Sequence, residues 1–454
     1  MNLSMPSAPL TVLVLIGVGA PALLLVLLGT ASLVNRPLPE RWTGLLAGSA
    51  ISLACCALLL AFVVYGMTST DTRLLSYGAW STSHDGGIAI EFLVDRLSLA
   101  FAVLSTAIAG VVSAFSNRYL HRESGYNRYF VLLAMFVLGM LLVALAGNVA
   151  VLFIGWELVG LSSALLVAFF QERPAAVSNA FRVISVYRIS DAALLSAAVL
   201  LRHLAGNGSL SLLFGGGAGS SSLTTSNATI IAMLLIVAVA CKSALLPFSS
   251  WLPRAMEGPT PSSAVYYGSL SIHAGCFLLL RAAPLLEHAP AARALAGLLG
   301  IATAVFAGIT TRVQSDVKSS LAYASLTQVG LIVVEIAIGW HTIAFIHLAG
   351  HACFRLLQFL SAPNVLHDLH GLEEAMGDRG GRERRFALLT SDRARQRLFL
   401  IALERGFLDS LLDRMVVEPF NRGARVLARL DQRLCDLVLA DGQSTAVEGT
   451  DRDE

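Results

Sequence analysis

The amino-acid sequence predicts an all-α, polytopic membrane protein. The expected fold is a helical bundle of about eleven transmembrane helices, one of them broken, followed by a cytoplasmic amphipathic helical tail. Three observations lead there. Of 454 residues, 56% are apolar without counting glycine, 14% are charged, and the mean hydropathy is +0.70. Soluble chains carry roughly 25% charged residues, and a soluble fold has no core large enough to hide such a surplus. The apolar residues are gathered into runs of about 20, the length that crosses a bilayer as a helix. One run is interrupted by several prolines. An ordinary cytosolic enzyme and a disordered scaffold are excluded.

The expected spans are residues 10–34, 42–66, 92–115, 128–146, 149–170, 176–201, 228–246, 262–283, 292–311, 317–339 and 341–362. The first run lacks the basic region and small-residue cleavage site of a signal peptide, and it is long enough to stay in the membrane. Short joints at Gly147-Asn148 and Gly339-Trp340 predict tightly coupled hairpins. After the seventh run come Pro247, Pro253 and Gly258-Pro259-Thr260-Pro261. Proline removes a backbone donor and clashes with the preceding turn. At membrane depth such a break survives only where protein or water satisfies the freed carbonyls, so it points to a transport path.

Basic residues in short loops set the orientation. Arg36, Arg41, Arg118, Arg122, Arg128, Arg173, Arg254, Arg312 and Lys318 follow odd-numbered spans, against Arg73, Arg202, Arg281 and Arg293 on the other side. This predicts an outside N-terminus and a cytoplasmic tail. Beyond Leu372 no run is long enough to span, and Gly377 to Arg385 reads as a charged linker. Over residues 396–439 Leu398, Ile401, Phe407, Leu411, Met415, Leu427, Leu430 and Leu434 recur near helical spacing. This stripe suits a membrane surface, a partner, or packing on its own domain.

Net charge is +2, from 32 basic and 30 acidic residues, which gives no bias toward nucleic acid. The six cysteines include no C-x-x-C pair, so the spacing suggests neither a metal site nor a disulfide framework. Gly215-Gly216-Gly217-Ala218-Gly219 sits among serines, not between a strand and a helix, and reads as a connector. There is no P-loop, nucleophile elbow, flavin, haem or iron–sulfur pattern, so the expectation is a conduit with no catalytic site or metal of its own.

The informative residues are the ionisable ones inside spans, each costing roughly 2.5–3.5 kcal/mol on insertion scales. Glu157 in the fifth span and Lys242 just before the break can neutralise one another, either as a static pair or as a pair that a passing proton disrupts. His347, His351 and Arg355 share one face of the eleventh span, because steps of four advance a helix by about 40°. Gln358 returns close to the direction of His347. This polar stripe suits a hydrated proton wire, or groups satisfied by neighbouring helices. A zinc site at the two histidines lacks an apparent third ligand. Gln328 and Glu335 share a face of the tenth span, and His273 is a lone histidine in the eighth. Arg182, Arg188 and Asp191 cluster in the sixth, the last two at ion-pair spacing.

At these residues the chain resembles the antiporter-like family that contains subunit L of NADH-quinone oxidoreductase and the large Mrp-type antiporter subunits. The resemblance covers roughly residues 90–360. It is carried by Phe92-Leu93-Val94-Asp95-Arg96-Leu97-Ser98, Gly155-Trp156-Glu157, Lys242-Ser243-Ala244 with Leu246-Pro247, and Ala255-Met256-Glu257-Gly258-Pro259-Thr260-Pro261. Asp316-Val317-Lys318, Leu321-Ala322-Tyr323, His347 and His351 continue it. It implies that Glu157 and Lys242 are the coupling pair and that His347 and His351 belong to the central polar axis.

Arg355 stands where the family usually has lysine. Tyr267 replaces the usual histidine after Gly-Pro-Thr-Pro, with His273 one and a half turns later. Set against subunit L, the chain is expected to end after three spans of a second half-repeat, without the lysine of that subunit's exit path. These departures are similar to a narrower group, the membrane components of DAB-type inorganic carbon transporters. The runs at 266–275, 351–360 and 403–409 carry that likeness.

The narrower resemblance implies a two-part machine in the bacterial inner membrane. This chain would pass protons or sodium ions along Glu157, Lys242, His273, His347, His351 and Arg355. The second part, a soluble, zinc-binding, carbonic-anhydrase-like partner, would use that energy to make CO2 hydration vectorial, so the zinc belongs to the partner. The alternatives are an antiporter-like component of a respiratory or hydrogenase-like complex, and an assembly scaffold. The expected organisation is N-terminal helices over 1–91, an antiporter-like proton-conducting domain over 92–366, a charged linker over 367–395, and the tail over 396–454.

Overall fold

A computed structural model of the chain describes residues 8–68, 72–79, 89–205, 224–314, 316–376 and 392–448. Among them are eleven helices long and apolar enough to cross a membrane. The first seven are α1 (Ala8–Leu33), α2 (Glu40–Thr68), α3 (Arg96–Tyr119), α4 (Tyr126–Leu145), α5 (Val149–Val167), α6 (Pro174–Ala205) and α7 (Thr225–Lys242).

The eighth span is assembled from pieces. Short α8 (Trp251–Arg254) leads through a 3-10 turn to α9 (Thr260–Ser262), a π-helical stretch (Ser263–Ser269) and α10 (Ser271–Arg281). After short α11 (Ala283–Glu287) come α12 (Pro290–Thr310), α13 (Val317–Ile338) and α14 (His341–Met376). Every residue of the 260–281 span's apolar window is buried, which puts the broken span at the centre of the bundle.

Two helix pairs are joined by reciprocal glycine contacts. A Cβ on Gly139 of α4 would lie 3.0 Å from the Gly155 carbonyl, and one on Gly155 of α5 would lie 2.8 Å from the Gly139 carbonyl. Gly300 of α12 and Gly330 of α13 repeat the arrangement at 2.7 and 2.6 Å. In lipid, small residues allow the close backbone approach that holds helices together.

The structure differs in detail from the sequence expectation in three places. The helical membrane bundle is as expected, with one addition: β1 (Arg73–Ala79) and β2 (Ala89–Val94) form an antiparallel pair between α2 and α3. The third span begins at Arg96 and not at 92, because Phe92, Leu93 and Val94 belong to β2. There Asp95 caps α3 through a capping box with Ser98. The seventh span ends at Lys242, short of 246, where the chain turns through Ser243 and Ala244, the latter at a left-handed φ of 54°.

Residues 377–391 and the glycine-rich connector lie outside the described residues. In the tail, α15 (Asp392–Leu403), α16 (Leu408–Leu412) and α17 (Glu418–Glu448) are helical. The chain divides into compact units Met1–Leu408 and Asp409–Glu454. Gly406 takes a left-handed φ of 67°, and a Cβ there would lie 2.9 Å from the Phe306 ring of α12.

Candidate functional site

The break after α7 leaves backbone groups that the neighbouring elements satisfy. Trp251 Nε1 donates to the Cys241 carbonyl at 3.0 Å, the Leu246 N–H donates to Thr303 at 3.0 Å, and Ser243 donates to the Ile272 carbonyl at 2.6 Å. Pro253 lies inside α8 and Pro261 in the first turn of α9, while Pro247 and Pro259 lie in the non-helical connections. A Cβ on Gly275 would fall 2.2 Å from Ser243 Oγ, so α10 can approach α7 this closely only with glycine there.

Lys242, fully buried, ends α7. Its Nζ donates to the Trp156 carbonyl at 3.1 Å and lies over the Tyr187 and Trp156 rings, 4.3 and 5.0 Å from their centroids. Gly160 leaves the room, since a Cβ there would be 3.2 Å from Nζ. Trp156 is itself held through Nε1 to Ser190, which donates to the Ala238 carbonyl.

Glu157 is one residue along α5, but it is not bonded to Lys242. Its Oε2 accepts from Arg188 at 2.6 Å, and Arg188 also reaches Asp191 at 2.7 Å. The expected direct pair is therefore a four-member group. Glu157, Arg188 and Asp191 form an ion-pair cluster, and Lys242 lies within electrostatic reach of all three. The geometric cause is that Glu157 and Arg188 are half-exposed on neighbouring helices while the lysine amine points inward to a carbonyl.

The second cluster joins α10 and α14. Arg355 Nε donates to His351 Nε2 at 3.0 Å, and a guanidinium can only donate. The His351 proton therefore sits on Nδ1, which faces His273 Nε2 at 2.9 Å. His273 in turn carries its proton on Nδ1, 2.5 Å from the Ser269 carbonyl at the end of the π-helical stretch. Arg355 also donates to Gln358 at 2.5 Å. The result is a row of two neutral imidazoles with every N–H pointing from Arg355 toward Ser269. It runs through buried space: His273 is 0% exposed and His351 7%.

His347 stands apart from that row. Its ring centroid is 6.4 Å from that of His351, and its nitrogens face Glu335 Oε1 at 2.8 Å and Gln328 Oε1 at 3.0 Å on α13. Sequence reasoning placed Gln358 beside His347, whereas Gln358 serves Arg355. It left His273 alone, whereas His273 is bonded to His351. Tyr267 donates to the Ser163 carbonyl at 3.0 Å. Serine hydroxyls at Ser249, Ser250, Ser263 and Ser271 are buried around the break, which gives this part of the apolar bundle a polar lining.

The family model for the transmembrane part of NADH:quinone oxidoreductase and Mrp antiporters matches residues 146–381. The chain belongs to this family. The model for the N-terminus of complex I chain 5 matches residues 80–130 in addition.

NADH-ubiquinone oxidoreductase chain 5 of Pongo pygmaeus is 31% identical over 346 residues, covering 76% of this chain and 56% of that protein. NADH-quinone oxidoreductase subunit L of Neisseria meningitidis is 30% identical, covering 70% of this chain and 49% of that protein. The chain thus spans about half the length of the curated relatives it matches.

Among solved structures, a chain of the Mrp complex from Dietzia is 29% identical with a TM-score of 0.67, covering 77% of this chain and 37% of that one. A chain of an archaeal membrane-bound sulfane sulfur reductase, 19% identical, shares the fold with a TM-score of 0.68 over 77% of this chain and 70% of that one. The chain is a multi-pass membrane protein with the fold of these antiporter-like subunits.

Proposed function

We propose that the chain is a proton-translocating, antiporter-like subunit of a larger membrane complex in a bacterial inner membrane, with its N-terminus outside. The observation that carries this reading is the buried hydrogen-bonded row Ser269–His273–His351–Arg355–Gln358, set against a helix break inside an apolar bundle. Imidazole accepts a proton on one nitrogen while releasing one from the other, which is what a relay needs. Lys242 holds its charge on a carbonyl and two aromatic faces within reach of carboxylates. A change in the Glu157–Arg188–Asp191 cluster therefore alters the cost of its proton.

Arg355 adds a gate to this relay. While Nε donates to His351 Nε2, that lone pair is closed to an incoming proton, and the row conducts only when the guanidinium moves aside. Lys242→Ala, in the intact complex reconstituted into liposomes with a pH-sensitive dye, is expected to lower proton flux about 100-fold, the lower range for a positioned proton-transfer group. Wild-type flux in that variant would overturn the reading.

One observation favours the finer reading, in which the proton gradient (or a sodium gradient) drives inorganic carbon uptake through a soluble zinc-binding partner. His273 and Arg355, the two departures from the usual family pattern, are joined through His351, so they act as one altered unit. Stoichiometric zinc and a single large soluble partner in the purified complex would support it. Iron, flavin and several membrane subunits would support the redox-linked alternative instead.

A further inference from the structure

The buried row ends at fully buried Ser269 on one side and at half-buried Gln358 on the other. A second polar group leads outward. Exposure rises along the line of histidines, from 0% at His273 and 7% at His351 to 25% for the side chain of His347 and 20% for that of Glu335. Both of the last two lie near the tip of the α13–α14 hairpin. His347 is six residues into α14 and Glu335 three from the end of α13, which places them about 9 and 5 Å from the tip at 1.5 Å per residue.

The hydrogen-bond inventory of this group is uneven. With the Gln328 amide oxygen toward the ring, His347 Nε2–H donates to it, and the Nδ1–Oε1 contact holds one shared proton that either the ring or Glu335 can carry. Turning the amide over presents an NH2 donor and makes the same ring neutral. Glu335 Oε1 takes the ring N–H, while Oε2 is buried with no partner. Oε1, in line with the ring N–H at 2.8 Å, is the oxygen placed to receive its proton.

Resting on the proton-translocation reading above, we propose that Glu335 is the terminal proton carrier of this chain, loaded by His347 and regulated by the orientation of the Gln328 amide. The Nδ1–H bond of His347 breaks and an O–H bond forms on Glu335 Oε1, leaving a neutral imidazole and a neutral carboxylic acid. The acid then releases its proton to water at the hairpin tip. In this arrangement His351 presents no N–H toward His347, so reloading waits until Arg355 moves off His351 Nε2. A protonated His351 then gives its Nε2 proton toward His347 Nε2, which the turned Gln328 amide has freed, and His347 returns to imidazolium.

The test compares proton flux of the intact complex in liposomes. Glu335→Gln, which keeps shape and removes the titrating group, is expected to lower flux about 100-fold. Glu335→Asp is expected to restore flux to within about tenfold of wild type. Wild-type flux in Glu335→Gln, or equal loss in both assembled variants, overturns the proposal. Wild-type flux in Lys242→Ala sinks the translocation reading. Loss in Lys242→Ala with full flux in Glu335→Gln sinks only the terminal role.

A readout on the unmutated complex stands beside these. Dicyclohexylcarbodiimide attacks protonated carboxyls in apolar surroundings and is expected to modify Glu335. Peptide mass spectrometry that finds Glu335 unmodified after full inhibition also overturns it.

Discussion

At the scale of single residues, the direction of hydrogen bonds says more than their number. Arg355 has only donors, and that one property propagates through two rings to define the tautomer of each. Nitrogen NMR of the labelled protein in bilayers should therefore find His351 and His273 both protonated on Nδ1. In Arg355→Gln the His351 Nε2 resonance should lose the shift of a charge-assisted acceptor; an unchanged spectrum would contradict the assignment. None of this was legible in the sequence, which showed that His347, His351 and Arg355 share a face but not which nitrogen meets which partner. Likewise, Glu157 and Lys242 stood out as intramembrane charges, while the pairing of Glu157 with Arg188 depends on how α5 and α6 turn toward one another.

At the scale of elements, the ends of helices carry the energetics. Asp95 caps α3 and also binds Arg281 at the end of α10 through both guanidinium nitrogens, tying the broken span to its neighbour. Burial alone raises the pKa of this carboxyl, but Arg281 and the Ser98 contacts outweigh it and hold it below the usual carboxylate range. A folded-state pKa below the unfolded value contributes stability that is present above about pH 4 and lost as pH falls through the folded value. Thermal unfolding in detergent should accordingly weaken below about pH 4 in the wild type. Asp95→Asn should be less stable at neutral pH and show a flatter acid limb. The glycine crossings give a second expectation. Gly330→Leu forces atoms into a 2.6 Å space beside the Gly300 carbonyl and should cost about 1–3 kcal/mol, read as a lower unfolding temperature. The spans themselves were legible because an apolar run of about 20 residues has one stable solution in lipid. The strand pair was not, because Phe92, Leu93 and Val94 are as apolar as the helix they precede and only the Asp95 cap marks the change.

At the scale of the whole molecule, the family and the fold are those of subunits that work inside assemblies, and the chain's apolar outer surface fits that setting. A mild-detergent pull-down of the tagged chain is expected to bring defined partners in fixed ratio. A chain that purifies alone and monodisperse from its native membrane would contradict the complex. The intramembrane charges were legible in the sequence as single positions, whereas their grouping into the Glu157–Arg188–Asp191 cluster and the His273–His351–Arg355 row depends on contacts between helices far apart in the chain.

The two glycine crossings join spans four to five and spans nine to ten, five spans apart. Successive spans cross the bilayer in alternating directions, so an odd interval turns the second crossing upside down relative to the first. The two crossings are then related in the sense of a two-fold rotation about an axis in the membrane plane, so the end that one pair turns toward one compartment the other pair turns toward the opposite one.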